Sequence, residues 1–245
     1  MRLLFQGTVP KLLDYPGDNE DAVAIDVARG RIAVSDGASE SYDSRTWSNL
    51  LVRRFVKDAR VGPTWVRRAA SEFAQKVNRD DLSWSKQASF DRGSFATLLG
   101  VQWEDATGTA DIWCIGDSLV ALLDGVSLIS CKPYTEAAEF QQRPQLLCTN
   151  HALNGFVAAS GFRKALHHSW RTTGLSQPVL LCMTDGLAEW TIREAATGRN
   201  AWAKLRAIDT VETLQRLVVQ ERGAHNMRVD DVVLVAVALD SDPGE

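Results

Sequence analysis

The chain has 245 residues, 45% hydrophobic and 24% charged, with a formal net charge of −4. This is the balance of an ordinary globular protein with one sizeable core. It excludes the basic footprint of a nucleic-acid or anionic-membrane binder, and the longest apolar run, VVLVAVAL at 232–239, is far short of the roughly 20 residues that cross a bilayer.

From the N-terminus, Gln6 and Gly7 break the apolar start MRLLF, so no secretory leader is expected. AVAIDV (22–27) and RIAVSD (31–36) read as a hairpin across Ala28-Arg29-Gly30. From Ser44 to about residue 60, Trp47, Leu50, Leu51, Phe55 and Val56 recur at helical spacing. A second helix follows Gly62-Pro63-Thr64, with Trp65, Ala69, Phe73 and Val77 on one face. After the polar stretch 80–93 come three strand-like segments, SFATLLGVQW, TADIWCIGD and LVALLDG. Residues 131–177 lack periodicity and read as irregular. PVLLCMTD is a buried strand, three helical segments follow between 186 and 221, and DVVLVAVAL closes the pattern.

No repeat, low-complexity tract or linker divides the chain, so 1–245 reads as a single domain. Hairpins rather than strict strand–helix alternation predict antiparallel sheets. The expected class is α+β, a four-layer αββα sandwich of two antiparallel sheets flanked by helices. Cys114, Cys131, Cys148 and Cys182 form no C-x-x-C pair. That spacing fits a reduced, cytoplasmic chain with structural thiols and no zinc site.

The chemistry is concentrated in acids at strand ends. Three apolar strands finish alike, at Asp36, Asp117 and Asp185, and two others begin with an acidic pair, Glu20-Asp21 and Asp230-Asp231. In an antiparallel sheet a strand ending in acid shares an edge with one beginning in acid, so all these sites collect at one end. Carboxylates packed together repel and are driven to protonate, and a divalent cation resolves that conflict. Oxygen-only ligands favour Mg²⁺ or Mn²⁺ over Zn²⁺. For any one acid, Asp231 above all, a solvated turn is the alternative reading.

NEDA at 19–22, VSDG at 34–37, GSFATLL at 93–99, GDS at 116–118, TDGL at 184–187 and VDDVVLV at 229–235 resemble, in order, the motif series of the metal-dependent protein phosphatases. These are the type 2C serine/threonine enzymes, and the likeness is to their compact bacterial members. The resemblance implies two metal ions, with a third more weakly held, and hydrolysis of phosphoserine and phosphothreonine by a metal-bridged water attacking phosphorus. By position, Asp36 is similar to the acid that bridges both metals and Gly37 to the residue lending a backbone carbonyl. Asp185 and Asp230 resemble ligands of the second metal, and Asp117 the bacterial family's third-metal ligand. Glu20 and Asp21, with Asp231 beside the last motif, resemble residues supporting metal-bound waters. A phosphoprotein partner, the target of a bacterial kinase, is implied.

The chain departs from the pattern at Pro16, four residues before Glu20, where many members carry an Arg that grips phosphate. Lys11, Arg45, Arg163 and Lys164 are substitutes to weigh against a role as solvated surface charge. His167 and His168 fall where the family has a variable flap. A phosphoprotein-binding module without turnover and a small-phosphoester hydrolase are the competing functions.

Overall fold

The structure, a computed structural model, describes residues 1–239; residues 240–245 of the expected unit lie outside the described residues. Side-chain alternation builds the layers. In β1 (Arg2–Val9), β2 (Ala22–Asp26) and β3 (Arg31–Ser35) successive residues face opposite ways. Thus Ile32 and Val34 join one core while Ala33 joins another. β3 pairs with β2 and with β5 (Leu98–Glu104), and β6 (Thr109–Ile115) and β10 (His167–Arg171) extend the sheet to the order β10-β6-β5-β3-β2. β7 (Leu119–Asp124), β8 (Ser127–Lys132), β11 (Pro178–Met183) and β12 (Val232–Ala238) form the other sheet, ordered β1-β12-β11-β7-β8. All these pairings are antiparallel.

Three cores separate four layers. α1 (Ser44–Lys57) and α2 (Pro63–Ala74) pack Trp47, Leu51, Phe55 and Phe73 against Ala33, Leu98 and Ile115 of the first sheet. Between the sheets, Val34, Val101 and Ile112 meet Val120, Leu180 and Val235. On the far side, Leu119, Leu181 and Leu234 pack against α5 (Asp185–Ala196), α6 (Ala201–Arg206) and α7 (Val211–Gly223) through Trp190, Leu205 and Leu214. Each such side chain contributes about 1.5–3 kcal/mol by leaving water. This is the expected αββα sandwich.

Several local expectations differ. β1 is a strand the sequence pattern hides, because Gly7 interrupts it. A Cβ at Gly7 would come within 2.4 Å of the Phe5 ring, so the glycine makes room for that aromatic to enter the core. The polar stretch 80–93 contains α3 (Trp84–Arg92), a helix with no buried residue and hence no apolar period to read. Val77 lies beyond the end of α2. The segment read as irregular holds the end of β8, α4 (Phe162–Leu166) and β10, and it also holds β9 (Leu147–Cys148), paired with β4 (Phe95–Ala96). His167 and His168 therefore belong to a sheet strand. No helix is long and apolar enough to cross a membrane among the described residues, and all four cysteines are buried and free.

Candidate metal centre

Register fixes where the acids go. Ala22 pairs with Ser35, which sets Asp21 and Asp36, the next residues outward, at one end of the first sheet. Met183 pairs with Leu234 and with Leu119. That register carries Asp185, Asp230–Asp231 and Asp117 to one end of the second sheet. The chain crosses between sheets at Gly116–Asp117–Ser118, and this crossing brings the two ends together.

Side-chain hydroxyls lock the junction. Thr97 Oγ1 accepts from the Asp36 N–H (2.8 Å) and lies 2.7 Å from Ser118 Oγ, while the Thr97 N–H donates to the Asp36 carbonyl at 2.9 Å. Gly116 has φ +101, and a Cβ there would stand 2.5 Å from Thr97 Cγ2. No L side chain fits that turn. Gly37 is held as closely, since an added Cβ would meet the Glu20 carbonyl at 2.8 Å and the Ser44 carbonyl at 3.0 Å. Thr184 Oγ1 accepts from the Val233 N–H at 2.9 Å, tying the entry of α5 to the start of β12.

Asp36, Asp117 and Asp185 bring one carboxylate oxygen each to within 4.8 Å of one another. Although Asp36 is partly exposed by area, its carboxyl is desolvated. Burial, then the charges of Asp21, Asp185, Asp117 and Asp230, push it well above the ordinary carboxylate range. Asp21 is raised for the same reasons, burial first and the charge of Asp231 next. Asp117, 8% exposed, is pushed up to about 7 by burial and the charge of Asp185. Asp230 is raised by burial and Asp185.

The remaining acids do different work. Asp231 is 4% exposed and accepts from the backbone N–H groups of Lys11 (2.7 Å) and Glu20 (2.9 Å). It clasps the N-terminal segment to β12. Glu20 lies on the rim, where Lys11 Nζ bonds it at 3.0 Å and the hydroxyls of Ser39 and Ser44 also donate to it. Burial alone would raise its pKa, but these donors outweigh burial and hold the carboxyl below its usual range.

The donor set fits a hard divalent cation. It is anionic and all oxygen, with no His or Cys among the three converging groups. Two buried carboxylate oxygens, Asp21 Oδ2 and Asp185 Oδ1, meet no hydrogen-bond donor. Orphaned buried acceptors are costly, and a cation satisfies them.

Two basic residues that the sequence reading did not single out stand here. Arg228 donates to Asp185 through Nη2 and approaches Glu189 through Nε (3.3 Å). Arg222 donates to the carbonyls of Pro10 (3.0 Å) and Asp230, pinning β1 beside β12. Of the proposed substitutes for the absent Arg, Lys11 reaches the rim at Glu20 and Ser39, and Arg45 donates to the Gly17 carbonyl, next to Pro16. Arg163 lies over the Trp113 ring at 5.8 Å, on the helix face of the first sheet. Lys164 lies in α4, within the same segment.

No family model and no curated sequence matches the chain. Solved structures do. The catalytic domain of the serine/threonine protein phosphatase PstP in complex with two manganese ions matches at TM-score 0.59 and 17% identity, over 98% of this chain and 100% of that one. The Mycobacterium tuberculosis phosphatase PstP/Ppp matches at 0.58 and 16%, over 97% and 98%. The photosystem II phosphatase PBCP matches at 0.57 and 15%, over 96% and 98%. The fold is that of the protein phosphatase 2C type. In this phosphatase 2C fold the acidic end of the paired sheets is the only place among the described residues where three potential metal-ligating side chains converge.

Proposed function

We propose that this chain is a divalent-cation-dependent phosphatase acting on phosphoserine and phosphothreonine in protein substrates of a bacterial kinase, in the cytoplasm. The observation that carries the reading is the convergence of Asp36, Asp117 and Asp185 within 4.8 Å, with an unpartnered buried oxygen on Asp185, on a phosphatase 2C fold. Asp36, Asp185, Asp230 and the Gly37 carbonyl would hold two Mg²⁺ or Mn²⁺ ions, and Asp117 would hold a third. When bound, such ions stabilise charge on phosphoryl oxygens and supply an activated water.

The chain's own residues prepare the centre. Gly37, having no Cβ, lets the Glu20 and Ser44 carbonyls close on it and so fixes the backbone next to Asp36. Thr97 and Ser118 fix the Asp36 and Asp117 backbones against each other. Asp21 offers a buried, unpartnered carboxylate oxygen, and Glu20, whose N–H is held by Asp231, sets the rim. Lys11, bonded to Glu20, and Arg228, bonded to Asp185, are the cations available here to an incoming dianion.

Turnover of p-nitrophenyl phosphate and of a phosphothreonine peptide, with Mn²⁺ and with excess EDTA, tests the reading. Hydrolysis that requires the cation is expected, and equal hydrolysis in EDTA would refute it. One observation favours a second reading, a weakly catalytic module that binds a phosphoprotein. Pro16 opens an exposed 3-10 turn and offers no cation where the resembling family has one.

A further inference from the structure

A cleft of about 720 Å³ lies between α1 and α2. Its walls carry Arg45, Arg53, Arg54, Lys57 and Lys76, a local excess of positive charge on a chain whose net charge is −4. Thr46, Asn49, Arg53 and Lys57 follow one another at spacings of three and four residues, so they line one stripe of α1. Lys76, just past the end of α2, faces them across the cleft.

The acids in the cleft are already engaged. Asp58 pairs with Arg60 at 2.8 Å and Glu72 with Arg54 at 3.4 Å, and the Asp43 side chain caps α1 by accepting from the Thr46 N–H at 3.2 Å. Arg53, Lys57 and Lys76 are exposed and pair with no acid among the described residues. The stripe begins beside the acidic centre. Ser44, adjacent to Arg45, donates its hydroxyl to Glu20 and packs its carbonyl against Gly37.

We infer that this cleft docks an acidic segment of the phosphoprotein substrate, next to the phosphorylated residue. The inference rests on the phosphatase reading for the word substrate, but the groove's charge stands without it. From Arg45 to Lys57 the helix rises about 18 Å, which an extended peptide spans in about five or six residues. Carboxylates spaced along that stretch meet Arg53 and Lys57, which pair with no acid among the described residues. The contacts are exposed, so they weaken as salt screens them.

The test uses the full chain and two fluorescein-labelled phosphothreonine peptides, alike except that one carries five glutamates beside the phosphoresidue and the other five glutamines. Anisotropy in EDTA reads binding without turnover. The glutamate peptide is expected to bind about tenfold tighter at low salt, from several exposed pairs acting together. That margin should shrink toward onefold at high salt, in Arg53→Glu/Lys57→Glu, and separately in Lys76→Glu, with melting temperature and p-nitrophenyl phosphate turnover unchanged in these variants. Equal binding of the two peptides to the wild type overturns the proposal. So does a margin that survives charge reversal, or a tighter hold on a single-stranded oligonucleotide than on the glutamate peptide. Because the binding arm needs no hydrolysis, a chain that turns over no phosphoester refutes the phosphatase reading while the groove is judged on its own result.

Discussion

Arg228 lays its guanidinium against Asp185, one of three carboxylates that converge at the end of the paired sheets. The acidic centre therefore carries an internal counter-cation on the very group that the phosphatase reading assigns to a metal. Arg228 is 42% exposed at its side chain and also approaches Glu189 at 3.3 Å, so it can swing away from Asp185 while keeping an acid partner.

Arg228→Gln should tighten Mn²⁺ binding by about fivefold. A unit charge a few ångströms from a cation site opposes binding by up to ~4 kcal/mol at an intermediate dielectric, and solvent at the half-exposed guanidinium screens most of that. Calorimetric titration of wild type and variant measures it. Weaker binding in the variant would mean that Arg228 orients Asp185 rather than competing for it.

Asp36→Asn and Asp185→Asn should each lower cation-dependent turnover by at least about a hundredfold, since a neutral ligand weakens the hold on the ion. The same substitutions should raise the melting temperature of the metal-free protein by removing one charge from a crowded cluster. Kinetics and a thermal melt in EDTA check both halves.

The metal-free protein should lose stability as pH rises from about 4 to about 7. Asp117 titrates near 7 in the fold because burial and Asp185 hold its proton on, whereas an unfolded Asp has released its proton by about pH 4. A raised folded-state pKa favours the fold while the group keeps its proton and loses that contribution once it ionises. Melting temperatures in EDTA should fall between about pH 4 and pH 7 and level off above that. Excess Mg²⁺ should flatten the slope, and Asp117→Asn should reduce it.

Pro16→Arg should lower the KM for p-nitrophenyl phosphate by about tenfold, the effect of roughly 1.4 kcal/mol from one charge-assisted, bidentate contact. Pro16 is exposed in a short turn whose Gly17 carbonyl is already held by Arg45, so the loop has an anchor that survives the exchange. An unchanged KM with an intact fold would place the phosphate clamp on Lys11, Arg45 or Arg228 instead.

The acidic edge was readable in the sequence because strand polarity is local. An apolar run ending in Asp36 or Asp185 and another beginning after Asp230 must share an end when they pair antiparallel, and the register of β11 with β12 does this. The layers followed from alternation in segments such as 31–35 and from helical spacing in 44–57. What stayed hidden depended on contacts distant in sequence. Nothing in RVDD distinguishes Arg228 from a solvated surface arginine until α5 delivers Asp185 and Glu189 to it. The hold of Asp231 on Lys11 and Glu20 spans most of the chain, and α3 buries no residue, so it leaves no period to detect.

Manganese titrated calorimetrically into the metal-free protein, with release of phosphate from a phosphothreonine peptide followed on the same samples, decides whether the acidic centre is a catalytic metal site. At least two ions per chain are expected, with turnover that rises with their occupancy and loss of both binding and turnover in Asp36→Asn and Asp185→Asn. Undiminished phosphate release in EDTA, or manganese binding that survives in both variants, would contradict that assignment.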